Sequence, residues 1–250
     1  MEIAVRAARI GNYILSAIAA IMILLMLAYG GYSLWDSYMI NRGAFTGSDL
    51  LKYKPTGETG GENYSLEELI ALNPDTRAWL TIDDTHIDYP VVQGEDDMEY
   101  INTDVFGEFA LSGSIFLSCL NSPDFSDHYN LLYGHHMDSG KMFASLVKYK
   151  NQEFYEAHPV IYFLTEDEVY RVELFAGYTT TADAGAYMIS ISTREEKIEW
   201  LKEMFHSSDF FAEVTVSSLD HVVTFSTCAY DFHNARYVLH GKLTVMEAGV

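Results

Sequence analysis

Cys228 closes the apolar run Val222-Val-Thr-Phe-Ser-Thr-Cys228, and Arg236, after a polar turn, opens the next one, Tyr237 to Val245. Two strands joined this way form a hairpin that brings a thiol and a guanidinium together at one rim of a sheet. A cation there lowers the thiol pKa and can also stabilise an oxyanion, which are two requirements of acyl transfer by a thiolate. The proton carrier such chemistry needs is offered by Tyr133-Gly134-His135-His136, at the end of another apolar run, where Gly134 allows close backbone approach and imidazole suits proton transfer near neutral pH. Each group also has a plainer role open to it: a packed cysteine, an arginine in a surface ion pair, a histidine pair on a metal. The metal role is disfavoured because adjacent histidines rarely reach one ion and no Cys-x-x-Cys or His-x-x-x-His spacing accompanies them.

These residues lie among short apolar or alternating runs. Trp79–Ile82, His86–Val92, Gly113–Leu117, Asn130–Tyr133, Pro159–Leu164, Glu168–Ala176, His221–Ser226 and Tyr237–Val245 are separated by turn signals, and this pattern predicts an antiparallel β-barrel or sandwich of about eight strands. One helical segment precedes it and two interrupt it. Ser65-Leu-Glu-Glu68 has the form of a capping box before a short helix ending at Asn73-Pro74. Lys141–Val147 reads as a second short helix. Thr193–Phe205 reads as a longer one, with Ile198, Leu201 and Phe205 on one face.

The 250-residue chain is 49% hydrophobic with a net charge of −21, and 14% of its residues are aromatic, so it is a folded, acidic protein and not a disordered one. With 15 Lys and Arg against 36 Asp and Glu, it lacks the basic surface that nucleic-acid phosphates require. The apolar excess sits near the start: no charge occurs from Ile10 to Trp35, long enough to span the ~30 Å hydrocarbon core of a bilayer. Arg6 and Arg9 precede this run and Asp36 is the first charge after it, so the positive-inside rule keeps the N-terminus in the cytoplasm and puts the rest outside. The run is long for a signal-peptide core and no clear small-x-small site follows, which favours an uncleaved anchor. The expected layout is therefore a cytoplasmic tip and transmembrane anchor at 1–35, a Gly- and Pro-containing juxtamembrane spacer at 36–64 and an extracellular catalytic domain at 65–250. Outside the cell, Cys119 and Cys228 could pair as a disulfide.

Taken together, Thr224-Phe-Ser-Thr-Cys228 with Arg236 resembles the TLxTC…R signature of sortases, the membrane-anchored cysteine transpeptidases of Gram-positive bacteria, and Leu132-Tyr-Gly-His135 resembles their catalytic-histidine segment. Asn73-Pro-Asp75, Trp79, Ile87–Gln93, Gly113–Leu117, Tyr133–Met137, Met142-Phe143 and Arg236–Leu243 extend the likeness to class B sortases over residues 65–246. The resemblance implies a mainly β fold: an eight-stranded sortase-type barrel with short helices, one N-terminal and one in the loop between strands six and seven, preceded by one transmembrane helix. It assigns Cys228 as nucleophile, His135 as general acid/base and Arg236 as transition-state stabiliser. Ser226, Thr227 and Tyr187 become candidates for contact with the sorting peptide, while His136, His233 and His240 are left as structural or solvent-facing. Phe225 stands where the family usually has Leu. Ser118-Cys119 replaces an Asp-containing pair, which leaves Cys119 without a family role and expected to be a free thiol.

The activity implied is cleavage of a C-terminal sorting motif in secreted proteins through a thioacyl-enzyme, followed by transfer to a peptidoglycan precursor amine, with no cofactor and no metal. A pilin lysine as acceptor, hydrolysis with release to water, and a non-catalytic binding barrel are the alternatives.

Overall fold

A computed structural model describes residues 1–42, 48–54, 64–182 and 193–246. The apolar run belongs to one helix, α1 (Glu2–Arg42), 41 residues long, and it is the one helix among the described residues long and apolar enough to cross a membrane. It continues past the boundary expected at residue 36. Asp36 to Arg42 contains neither Gly nor Pro, so nothing stops the helix before Gly43. The short turn expected in the spacer is α2 (Ser48–Leu51). Just after it the chain is not a free spacer: Tyr53 is buried with Leu69, Trp79, Val92, Tyr100, Val105 and Phe116, and Lys54 pairs with Asp88 at 2.8 Å.

All eight apolar runs are strands: β1 (Thr76–Thr81), β2 (Asp88–Val92), β3 (Ile115–Leu117), β4 (Tyr129–Tyr133), β5 (Val160–Leu164), β6 (Val169–Thr181), β7 (His221–Cys228) and β8 (Ala235–Val245). They close into a barrel in the order β1-β2-β3-β4-β7-β8-β6-β5. The barrel is mixed and not antiparallel throughout, because β2 pairs with β3 and β4 with β7 in parallel. Parallel pairing needs a long return connection, and the chain supplies one each time: the loop from Gln93 to Ser114, and everything between Tyr133 and His221. The remaining helices are α3 (Tyr64–Leu72), a 3-10 helix (Phe143–Lys150), α4 (Gln152–Ala157) and α5 (Arg194–Ser207).

β7 is buried along nearly its whole length because both its faces are covered. Phe225 points inward, stacked on Phe163 at 5.8 Å and edge-on to Phe143 at 6.0 Å. Val222, on the opposite face, packs with Val238, Phe175 and Tyr178 beneath Trp200, Leu201 and Met204 of α5. α5 starts with a capping box, Thr193 accepting from the Glu196 N–H and Glu196 reaching back. Its buried stripe is rotated from the expected one: Lys197, Trp200, Leu201 and Met204 face the barrel, whereas Phe205 is 38% exposed. A tryptophan and a methionine one turn apart cover more of the sheet than the Ile198 and Phe205 stripe would, and the buried Lys197 ammonium is compensated by donating to the Asp220 carbonyl at 2.5 Å.

His240 of β8 lies under α5, fully buried between Trp200, Tyr178 and Phe175, with Nδ1 2.8 Å from Thr224 Oγ1. Burial pushes its pKa down to about 3. The unfolded chain takes up this proton as pH falls through about 6.5 while the folded chain does not, so the neutral ring contributes stability above that pH and the contribution is lost between about 6.5 and 3. Between pH 6.5 and 4.5 wild type is expected to lose about 2 kcal/mol more unfolding free energy than His240→Asn. Urea titrations followed by tryptophan fluorescence check this, and parallel pH dependences would refute it.

Candidate active site

Strand direction assembles the candidate residues. Because β4 and β7 are parallel, with Tyr133 opposite Ser226, the chain leaving β4 and the last residues of β7 emerge at the same end of the barrel. The Gly134 N–H donates to the Ser226 carbonyl (3.2 Å) and Thr227 Oγ1 donates to the Gly134 carbonyl (2.8 Å), which ties the two segments together. On the other side of β7, Cys228 and Arg236 are register partners in the antiparallel β7–β8 ladder, and directly opposed residues put their side chains on the same face. His135, Cys228 and Arg236 are thus gathered at one rim, each half-buried and open to a substrate.

Further contacts fix each of them. His135 Nε2 is 2.8 Å from the Ile101 carbonyl; a carbonyl can only accept, so Nε2 carries the proton and Nδ1 is the nitrogen left to exchange one. The backbone of His135 is held by the Phe143 N–H at 2.9 Å. The preceding glycine is required by space, since a Cβ at Gly134 would meet Ile115 Cδ1 at 2.5 Å and the Phe143 ring at 2.7 Å. Arg236 Nη1 donates to the Ala235 carbonyl at 3.0 Å, and no carboxylate among the described residues lies within ion-pair distance of its guanidinium. His135 and His136 are directed at different carbonyls, Ile101 and Cys228, so they do not converge on one point as metal ligands would.

Both cysteines are free thiols. The Ser118 N–H bonds the Leu131 carbonyl, and Leu131 is level with Thr224 on β7, so Cys228 lies at least four residues further along, about 13 Å away. That exceeds the Cα separation a disulfide tolerates. Asp97 takes the Ser118 hydroxyl at 3.1 Å and the Cys119 N–H at 2.7 Å. Desolvation, with the hydrogen bond to and charge of Asp97, pushes the Cys119 thiol pKa up.

Of the candidate peptide-contacting residues, Ser226 and Thr227 are each 2% exposed. Thr227 spends its hydroxyl on the Gly134 carbonyl, in the joint between β4 and β7. Tyr187 lies outside the described residues. The residue that sequence reasoning missed is Ile101, which acts through a backbone carbonyl and leaves no trace in residue type.

The barrel and its rim match a known domain: the model of the sortase domain family aligns with residues 80–244, and the chain belongs to that family. Its relatives place it in one class. Sortase B of Listeria monocytogenes is 36% identical over 190 residues, 75% of this chain and 77% of the relative. Sortase B of Staphylococcus aureus is 32% identical over 179 residues, 71% and 73% of the two chains. Among solved structures, Bacillus anthracis sortase B in complex with AAEK1 superposes with a TM-score of 0.74 at 32% identity, covering 85% of this chain and 100% of that one. A Staphylococcus aureus sortase B–substrate complex gives 0.70 at 30% identity, covering 74% and 86%. The family member described here is a class B sortase.

Proposed function

We propose that the protein is a cysteine transpeptidase that cleaves a C-terminal sorting motif in secreted proteins and joins them to a peptidoglycan precursor amine, working at the outer face of the membrane that α1 spans. The observation that carries this reading is the register pairing of Cys228 with Arg236 at the rim where β4 delivers His135. That a similar protein, Staphylococcus aureus sortase B, was solved as a substrate complex supports reading this chain as one that binds a sorting substrate. Arg6 and Arg9 before the apolar run support a cytoplasmic N-terminus.

The Cys228 thiolate attacks the scissile carbonyl carbon and forms a tetrahedral oxyanion, to which the Arg236 guanidinium donates hydrogen bonds. Collapse breaks the C–N bond. The departing amine takes its proton from Nδ1 of the His135 imidazolium, whose Nε2–H stays on the Ile101 carbonyl and keeps the ring in place. The product is a thioester at Cys228. An incoming amine then attacks this thioester, gives its proton to His135 Nδ1 and expels the thiolate. The Ile101 carbonyl thus serves as the third group that orients the acid/base.

The test incubates the full chain in detergent with a library of quenched sorting peptides, with and without an amine acceptor. The expected result is an acyl fragment on Cys228 that hydroxylamine removes, and an amide product that depends on the acceptor. Peptide cleavage with no acyl group on Cys228 would refute the reading.

A further inference from the structure

The neighbour of the candidate acid/base makes a contact to the proposed nucleophile. Carbonyls two residues apart in a strand point to the same side, so the Cys228 carbonyl faces the same neighbour as that of Ser226, which accepts from the Gly134 N–H. By Cys228, however, β4 has already ended at Tyr133, and no strand amide is left to continue the ladder. A side chain fills the gap: His136 Nδ1 stands 2.9 Å from the Cys228 carbonyl. The acceptor fixes Nδ1 as the protonated nitrogen. Tyr230, two residues past the nucleophile, closes over the same imidazole, edge to face at 5.0 Å, and donates its hydroxyl to the His136 carbonyl at 3.3 Å.

We propose that His136 is a positioning residue for transpeptidation: its Nδ1–H replaces the missing ladder bond at the nucleophile's carbonyl and so sets the direction of the Cys228 side chain relative to Arg236 and His135. The inference rests on Cys228 being the nucleophile. A bond at one end of a peptide plane governs where the attached Cα–Cβ vector points, and displacing a reacting atom by about 1 Å costs up to about a hundredfold in rate. Because the contact is to the enzyme's own backbone, its loss falls on kcat and leaves KM nearly unchanged.

Asn carries an amide N–H at a similar distance from the backbone as Nδ1, but it has no group that transfers protons. His136→Ala is therefore expected to lower kcat about tenfold with KM changed less than twofold, and His136→Asn to recover most of that loss. An Asn variant as impaired as Ala, or an Ala variant with wild-type kcat, would overturn the proposal. Long-range 1H–15N correlation spectra of the full chain in detergent supply a readout that needs no variant: His136 is expected as the Nδ1–H tautomer, and an Nε2–H tautomer would overturn the hydrogen bond itself. Cys228→Ala assayed alongside separates the two claims, since turnover surviving there refutes the nucleophile assignment, while the tautomer still reports on His136.

Discussion

Cys228→Ala is expected to lower transpeptidation about ten-thousand-fold or more, because removing the proposed covalent nucleophile removes the proposed two-step route and leaves only binding and electrostatic assistance. Thermal stability should change little, since Cys228 is half-buried at a strand end and the hydrogen bond from His136 goes to its backbone carbonyl, which alanine keeps. Cys119 cannot take over. It lies about 13 Å or more along the barrel from the rim, and its thiol is held in the protonated form by partial burial and by Asp97. Cys119→Ala is therefore expected to turn over like wild type. Peptide cleavage and amide formation measured on both variants, with melting curves as a folding control, check the pair. A Cys228→Ala protein within tenfold of wild type would remove the proposed mechanism at its root.

Much of this site could be read from the sequence because its parts are local. The run from Val222 to Cys228 alternates between an inner face holding Phe225 and an outer face holding Val222 and Thr224, so its strand character is written in its composition. The helical spacing of apolar residues between Thr193 and Phe205 announces α5 for the same reason. What joins the parts is not local. Nothing between Asn130 and Tyr133 states that this strand runs parallel to β7, yet that pairing alone brings His135 to Cys228's end. The Ile101 carbonyl and the His136 bond depend on pairs 34 and 92 residues apart. Tyr53 shows the limit from the other side: it stands in a segment that reads as a spacer, and its burial depends on a pocket assembled from β1, β2, β3 and the loop after β2.

Both the placement of His135 and the integrity of that loop converge on Gly113. Its φ is +55°, in the left-handed region where a side chain costs about 1 kcal/mol. A Cβ there would also stand 2.2 Å from the Ile101 carbonyl oxygen and 2.6 Å from that of Tyr100. Neither oxygen is free to retreat: Ile101 O takes the His135 Nε2–H, and Tyr100 O takes the Ser114 N–H at 3.0 Å. Relief of about 1 Å would lengthen the 2.8 Å bond to His135 beyond hydrogen-bonding range. Gly113→Ala is therefore expected to cost about 3 kcal/mol, backbone strain and overpacking together, which for a domain of this size is a fall in Tm of about 6–12 °C. Transpeptidation by the folded fraction should drop about a hundredfold as His135, the proposed acid/base, loses its anchor. Gly107 isolates the two causes. It lies in the same loop at φ +80° with nothing within 4 Å of the position a Cβ would take, so Gly107→Ala meets the backbone penalty alone and should keep its activity. If Gly113→Ala melted and turned over like Gly107→Ala, the Ile101 carbonyl would not be the fixed support on which His135 depends.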